Sequence, residues 1–159
     1  MSWTGPTALF TAWIIHGIEE AFAFPASCDR LVDRTGVEQL RITPQQSWIA
    51  VELMGILVAV ACGRAAGKSA MFRAVVAGLE AHVVTHLGAS VAQRGYTAGV
   101  ATALPIMFPG ALMARRELQR DGCELRFRDT VNGVELLLPA ALVCQGAARL
   151  IRRVSAAKS

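Results

Sequence analysis

Residues 5–24 read GPTALFTAWIIHGIEEAFAF, an apolar run of membrane-spanning length that carries His16, Glu19 and Glu20 inside it. About 20 predominantly apolar residues are needed to cross a bilayer as a helix. Four further runs follow: Gln46–Gly63, Phe72–Ala92, Tyr96–Ala114 and Val131–Ala148. The last is diluted by Asn132, Glu135 and Gln145. The pattern predicts an all-α, polytopic membrane helix bundle of about five transmembrane helices. It forms a single membrane domain over 1–159, for no repeat, low-complexity tract or linker divides the chain.

The composition agrees. Of 159 residues, 53% are hydrophobic and 18% charged, and the mean hydropathy is +0.42. That is too apolar for a disordered chain. Four scattered cysteines, none in a C-x-x-C pair, make no disulfide scaffold. The net charge of +4 could serve nucleic acid, but the arginines cluster between apolar runs, as in membrane-protein loops, so no nucleic-acid partner is expected. The lipid bilayer is the expected surrounding and a multi-pass protein of the cell membrane the expected location. Orientation stays open. Arg64, Lys68, Arg73 and the five arginines between Arg115 and Asp129 fall on one side. Arg30, Arg34, Arg41, Arg94, Arg149, Arg152, Arg153 and Lys158 fall on the other. The segment Asp29–Arg41 is expected to lie as an interfacial helix. The first run lacks the basic start of a signal peptide and reads as a span.

The informative residues are those a bilayer disfavours, since a charge near mid-membrane costs roughly 2.5–3.5 kcal/mol on insertion scales. His16, Glu19 and Glu20 stand at i, i+3 and i+4, on one helix face. His82 and His86 stand at i and i+4, the spacing that lets two imidazoles reach one metal. With alternate spans reversed, a rise of about 1.5 Å per residue puts all five, with Glu52, within a slab roughly 8 Å thick. Histidines with carboxylates and no clustered thiolates suit iron, zinc or manganese. His16, Glu19, His82 and His86 are therefore the expected metal ligands, with Glu20 and Glu52 as further ligands or a general base. Other polar residues have plainer readings. Glu80 points away from the His82–His86 face and shares a stripe with Arg73, as an ion pair would. Glu135 lies shallow enough to reach the head groups. Pro105 and Pro109 are expected to kink the fourth run.

His16-Gly17-Ile18-Glu19-Glu20 resembles the signature of the HXXEE-motif family of small integral membrane proteins. That family carries a further histidine followed by Y-x-P-G. Here His86 precedes Tyr96-Thr97-Ala98-Gly99 by ten residues, with Ala98 where the family has proline. The resemblance covers about residues 8–112. It implies a membrane protein with an enzymatic site, adds Tyr96 to the candidate catalytic residues, and names no reaction.

The expected function is a membrane-embedded enzyme using a divalent metal, iron or zinc, on a hydrophobic or lipid-like small-molecule substrate. Oxidative chemistry at a pair of irons is weighed slightly ahead of hydrolysis. One alternative is a metal-free acid/base isomerase or cyclase using the same groups. Another is a small proton- or metal-coupled transporter, which at this size needs a homo-oligomer.

Overall fold

Helix starts are written in short polar signals that the structure uses. The computed structural model describes residues 3–64 and 69–157, so Lys68 and Lys158 lie outside the described residues. Thr43 accepts from the Gln46 amide at 3.2 Å and Pro44 opens α2 (Pro44–Gly63). Ser69 accepts from the Phe72 amide at 3.1 Å and starts α3 (Ala70–Gln93). Both are N-caps that satisfy an amide lacking an intrahelical partner. Before them, α1 (Thr4–Thr35) runs for 32 residues and stops at Gly36, whose φ of 72° closes it. After Gly99, whose φ is 83°, come α4 (Val100–Thr102), a π-helical segment (Ala103–Met107) and α5 (Phe108–Arg120). The chain ends in α6 (Phe127–Ala156), where the Asp129 carboxylate accepts from the Arg126 amide at 2.8 Å. The described residues contain no strand.

The all-α expectation holds. On length and composition α2, α3 and α6 can each cross a membrane. The first and fourth expected spans are helical but differ from that standard for physical reasons. In α1 the residues His16, Glu19 and Glu20 themselves dilute the apolar run. The fourth is divided, since Tyr96 lies in a turn, helix begins only at Val100, and the π segment containing Pro105 separates α4 from α5. Proline lacks the N–H an α-helix needs, and a π turn absorbs the mismatch. The expected interfacial helix at Asp29–Arg41 is corrected too. α1 continues through Thr35, and only a 3₁₀ turn at Glu38–Leu40 follows.

α1 packs on α2 and α5, α3 packs on α5 and α6, and α2 also packs on α6. α4 and the π segment lie between α1 and α3. The core is built from Leu9, Val58, Phe72, Val75, Val76, Leu79 and Met107. α3 and α6 touch through glycine: a Cβ on Gly133 would stand 2.2 Å from the Ala74 carbonyl oxygen. Such close backbone approach is what small residues permit between membrane helices. Large apolar side chains also cover the outside, among them Phe22, Ile56, Val84, Val91, Leu138, Leu142 and Val143.

Two ion pairs tie α3 to its neighbours. Glu80 pairs with Arg115 of α5 at 2.8 Å, not with Arg73 as the shared stripe predicts. Arg73 pairs with Asp129 of α6 at 3.3 Å. Glu80 and Arg73 both make structural ion pairs, but with partners on facing helices, which lie nearer than a residue two turns along the same helix.

Candidate metal centre

His16 and Glu20 project from α1 one turn apart, and His82 and His86 project from α3 one turn apart. The two pairs face each other. His16 Nε2 lies 3.2 Å from His86 Nε2, and His86 Nε2 lies 2.8 Å from His82 Nε2. The Glu20 carboxylate closes the group at 3.4 Å from His86 Nε2, 3.6 Å from His82 Nε2 and 3.9 Å from His16 Nε2. All four ligand atoms fall within 4.8 Å of one another. The imidazoles stand edge to face, with interplanar angles of 74° to 90°. A tetrahedral ion bound at about 2.0–2.2 Å sets its ligands about 3.3–3.6 Å apart, and the observed separations bracket that edge.

Hydrogen bonds behind the rings decide which nitrogen faces inward. The Thr102 hydroxyl donates to Glu19 Oε2 at 2.5 Å, because a carboxylate can only accept. It therefore accepts from His16 Nδ1–H at 2.8 Å, which leaves His16 Nε2 as a bare lone pair turned to the cluster. Thr85 repeats the logic more loosely. Its hydroxyl donates to the His82 carbonyl at 2.7 Å and lies 3.4 Å from His82 Nδ1. His86 Nε2 then faces two bare nitrogens with at most one hydrogen to offer. A cation at the centre satisfies all three, and outer hydrogen bonds of this kind orient ligating histidines.

The two adjacent glutamates do different work. Glu20 joins the cluster, whereas Glu19, expected as a ligand, turns about 100° around α1 toward α4. Its carboxylate accepts from the Ala101 and Thr102 amides at 3.1 and 2.8 Å, from the Thr102 hydroxyl, and from the Tyr96 hydroxyl at 2.5 Å. Glu19 thus caps the start of α4, where free amides favour negative charge. Tyr96 meets the cluster only through Glu19. Glu52 is not brought in. α2 buries Gln46, Ala50, Met54 and Val58 along one stripe, and Glu52 stands exposed on another face. Glu135 is exposed on α6, and the four cysteines are free.

Gly99 is required by geometry. A Cβ there would stand 2.5 Å from His86 Cε1 and 2.9 Å from His16 Cε1, and its φ is positive. The motif histidines and Tyr96-Thr97-Ala98-Gly99 therefore form one packed unit, and the family model described as a protein of unknown function with HXXEE motif matches residues 7–114.

The chain belongs to the HXXEE family.

No curated protein and no solved structure matches the chain. Within this HXXEE protein Ala98, standing where the resemblance expects proline, uses the amide that proline would lack. It donates to Ser27 Oγ at 3.0 Å, and Ser27 also accepts from Arg30 at 3.0 Å. Sequence reading missed Thr102, Thr85 and Ser27. Thr85 could have been found, one turn from His82 on the same helix. Thr102 carries no local signal, because its partners come from α1.

The cluster is sealed at one end and accessible at the other. His16 is wholly buried and the His86 side chain is 10% exposed, while those of Glu20 and His82 are 17% and 34% exposed.

Proposed function

We propose that this HXXEE-family protein is a multi-pass enzyme of the cell membrane that binds one divalent metal ion through His16, His82, His86 and Glu20. On this reading all five helical runs lie across the bilayer, and the substrate is a hydrophobic or lipid-like molecule. The observation that carries it is the convergence of three imidazole Nε2 atoms and one carboxylate within 4.8 Å. The pair of irons favoured from sequence needs bridging carboxylates, but only Glu20 stands among the histidines, so the donor set supports a single ion. When bound, such an ion supplies Lewis acidity or an activated water. His16 and His86 hold it from the buried side. Glu20, at the accessible side, would serve as the fourth ligand or as the base that accepts a proton at its carboxylate. Thr102 and Glu19 hold the His16 ring in place. Apolar side chains over the outside of the bundle support an approach from lipid. With iron in the site the residues would suit oxidation of the substrate by dioxygen, and with zinc hydrolysis by water or group transfer.

The test is metal content of the detergent-purified full chain by plasma mass spectrometry. About one iron or zinc per chain is expected in the wild type and in Glu52→Gln, with loss in His16→Ala and His86→Ala variants that keep their helix content by circular dichroism. No metal after reconstitution with iron and with zinc would overturn the reading. The same residues would then be proton-transfer groups of a metal-free isomerase or cyclase.

A further inference from the structure

Beyond the metal centre, where α1 and α3 end on the same side, three arginines close around one recess. Arg30, Arg34, Gln93, Arg94, Gly95 and Tyr96 line a space of about 250 Å³. The hydrogen bonds of Arg30 and Arg34 hold the recess open without neutralising it. Arg30 donates to the Tyr96 carbonyl at 3.0 Å and to Ser27 Oγ at 3.0 Å, and Arg34 donates to the Gln93 carbonyl at 3.3 Å. Among the described residues none of the three arginines pairs with a carboxylate. Of the nearby acids, Asp29 and Glu38 pair with Arg41 at 2.8 and 3.1 Å, and Asp33, next to Arg34 on α1, is exposed and forms no ion pair among the described residues.

Arg94 adds a second observation. It ends α3 with φ 51° and ψ 42°, the left-handed region, and among the described residues it is the only non-glycine with positive φ. Glycine or asparagine suits that conformation better. The chain nonetheless sets a third cation there, in the lining of the recess. Three uncompensated guanidiniums with forked N–H donors match a tetrahedral oxyanion such as phosphate.

We infer that this recess binds a phosphate-type oxyanion, presented as the head group of an anionic lipid. Tyr96 joins it to the metal centre, since Tyr96 lines the recess and its hydroxyl donates to Glu19, which accepts from the Thr102 hydroxyl behind His16. Arg94 follows His86 by eight residues and Arg30 follows Glu20 by ten, so the recess stands about 12–15 Å along the helix axes from the cluster. A lipid held here by its phosphate brings its chain, not its head group, toward the ligands. As substrate binding this rests on the function proposed above; as an anion site it stands without it.

The experiment measures binding of dioctanoyl phosphatidic acid, dioctanoylglycerol and inorganic phosphate to the full chain in non-ionic detergent, by calorimetry. The variant is Arg34→Gln with Arg94→Asn, the asparagine chosen because it tolerates the left-handed turn. Phosphatidic acid is expected to bind the wild type at least tenfold tighter than dioctanoylglycerol, and to lose at least tenfold in the variant. Inorganic phosphate binding alone, with the same loss in the variant, keeps the anion site and overturns the lipid source. Equal binding of phosphatidic acid and dioctanoylglycerol, or equal binding by wild type and variant, overturns the site. Helix content and metal content are read on the same samples. A variant that keeps its metal but loses the anion separates the two sites, and a wild type that binds the anion without metal sinks only the metal reading.

Discussion

Glu19 and Glu20 are neighbours of identical chemistry, and both share a helix face with His16. One turns to α3 and faces three imidazoles; the other turns to α4 and accepts four hydrogen bonds. A spacing of i+3 or i+4 says that each can reach the histidine, but not which does. The difference is testable. Glu20→Gln is expected to weaken metal binding by more than tenfold in a chelator competition. Glu19→Gln is expected to keep metal and to speed amide hydrogen exchange at Ala101 and Thr102, whose cap it weakens. Thr102→Val removes the acceptor for His16 Nδ1–H and leaves that donor buried and unsatisfied, at a cost of about 1–3 kcal/mol. Metal affinity is expected to fall about 10–100-fold, the range for lost outer hydrogen bonds, and Thr102→Ser to restore most of it. Equal affinity in the valine and serine variants would refute the orienting role.

The elements divide by how local their causes are. The ends of α2 and α3 lie within two residues of the apolar runs Gln46–Gly63 and Phe72–Ala92, because an apolar run is itself a local property; Thr43, Pro44 and Ser69 then fix the two starts. The extent of α1 was not legible in this way, because Asp29–Arg41 mixes charges of both signs and reads as a separate interfacial segment, whereas residues 25–35 continue α1 and make contacts elsewhere in the fold. Ser27 and Arg30, for example, reach Ala98 and Tyr96. The break at the π segment was foreshadowed by Pro105, yet its use, setting the start of α4 beside His16 and His86, needed the fold. Gly99 is the hinge of that arrangement. Gly99→Ala puts a methyl 2.5 Å from the His86 ring on a backbone of positive φ. It is expected to abolish metal binding while circular dichroism keeps the wild-type helix signal. Metal retained at the wild-type level would mean the rings are not held as described.

At the level of the whole molecule, the helices close around one another so that α1 and α3 meet chiefly through α4, the π segment and the histidine cluster. A metal there joins elements that apolar packing leaves apart, so thermal unfolding in detergent is expected several degrees higher with metal than after chelation. The opposite side of α3 depends on tight backbone contact with α6. Gly133→Leu would drive a side chain into the Ala74 carbonyl and is expected to cost about 1–3 kcal/mol as overpacking, seen as a lower melting temperature at unchanged metal stoichiometry in the folded fraction. A melting temperature equal to the wild type would place the two helices farther apart.

Helix class, the apolar runs, and the pairing of His16 with the glutamates and of His82 with His86 were determined by the sequence itself. They depend on composition and on a 3.6-residue period, which are local properties of the chain. Depth counting along those runs also brought the three histidines to one level. Rotation of each helix about its axis was decided only in the tertiary structure, where it selected Glu20 over Glu19 and turned Glu52 outward. So were the partner of Glu80, the Thr102 bond behind His16, and the meeting of Arg30, Arg34 and Arg94. Each of these joins residues from different helices, and the energy that sets helix rotation lies in packing between elements rather than in either element alone.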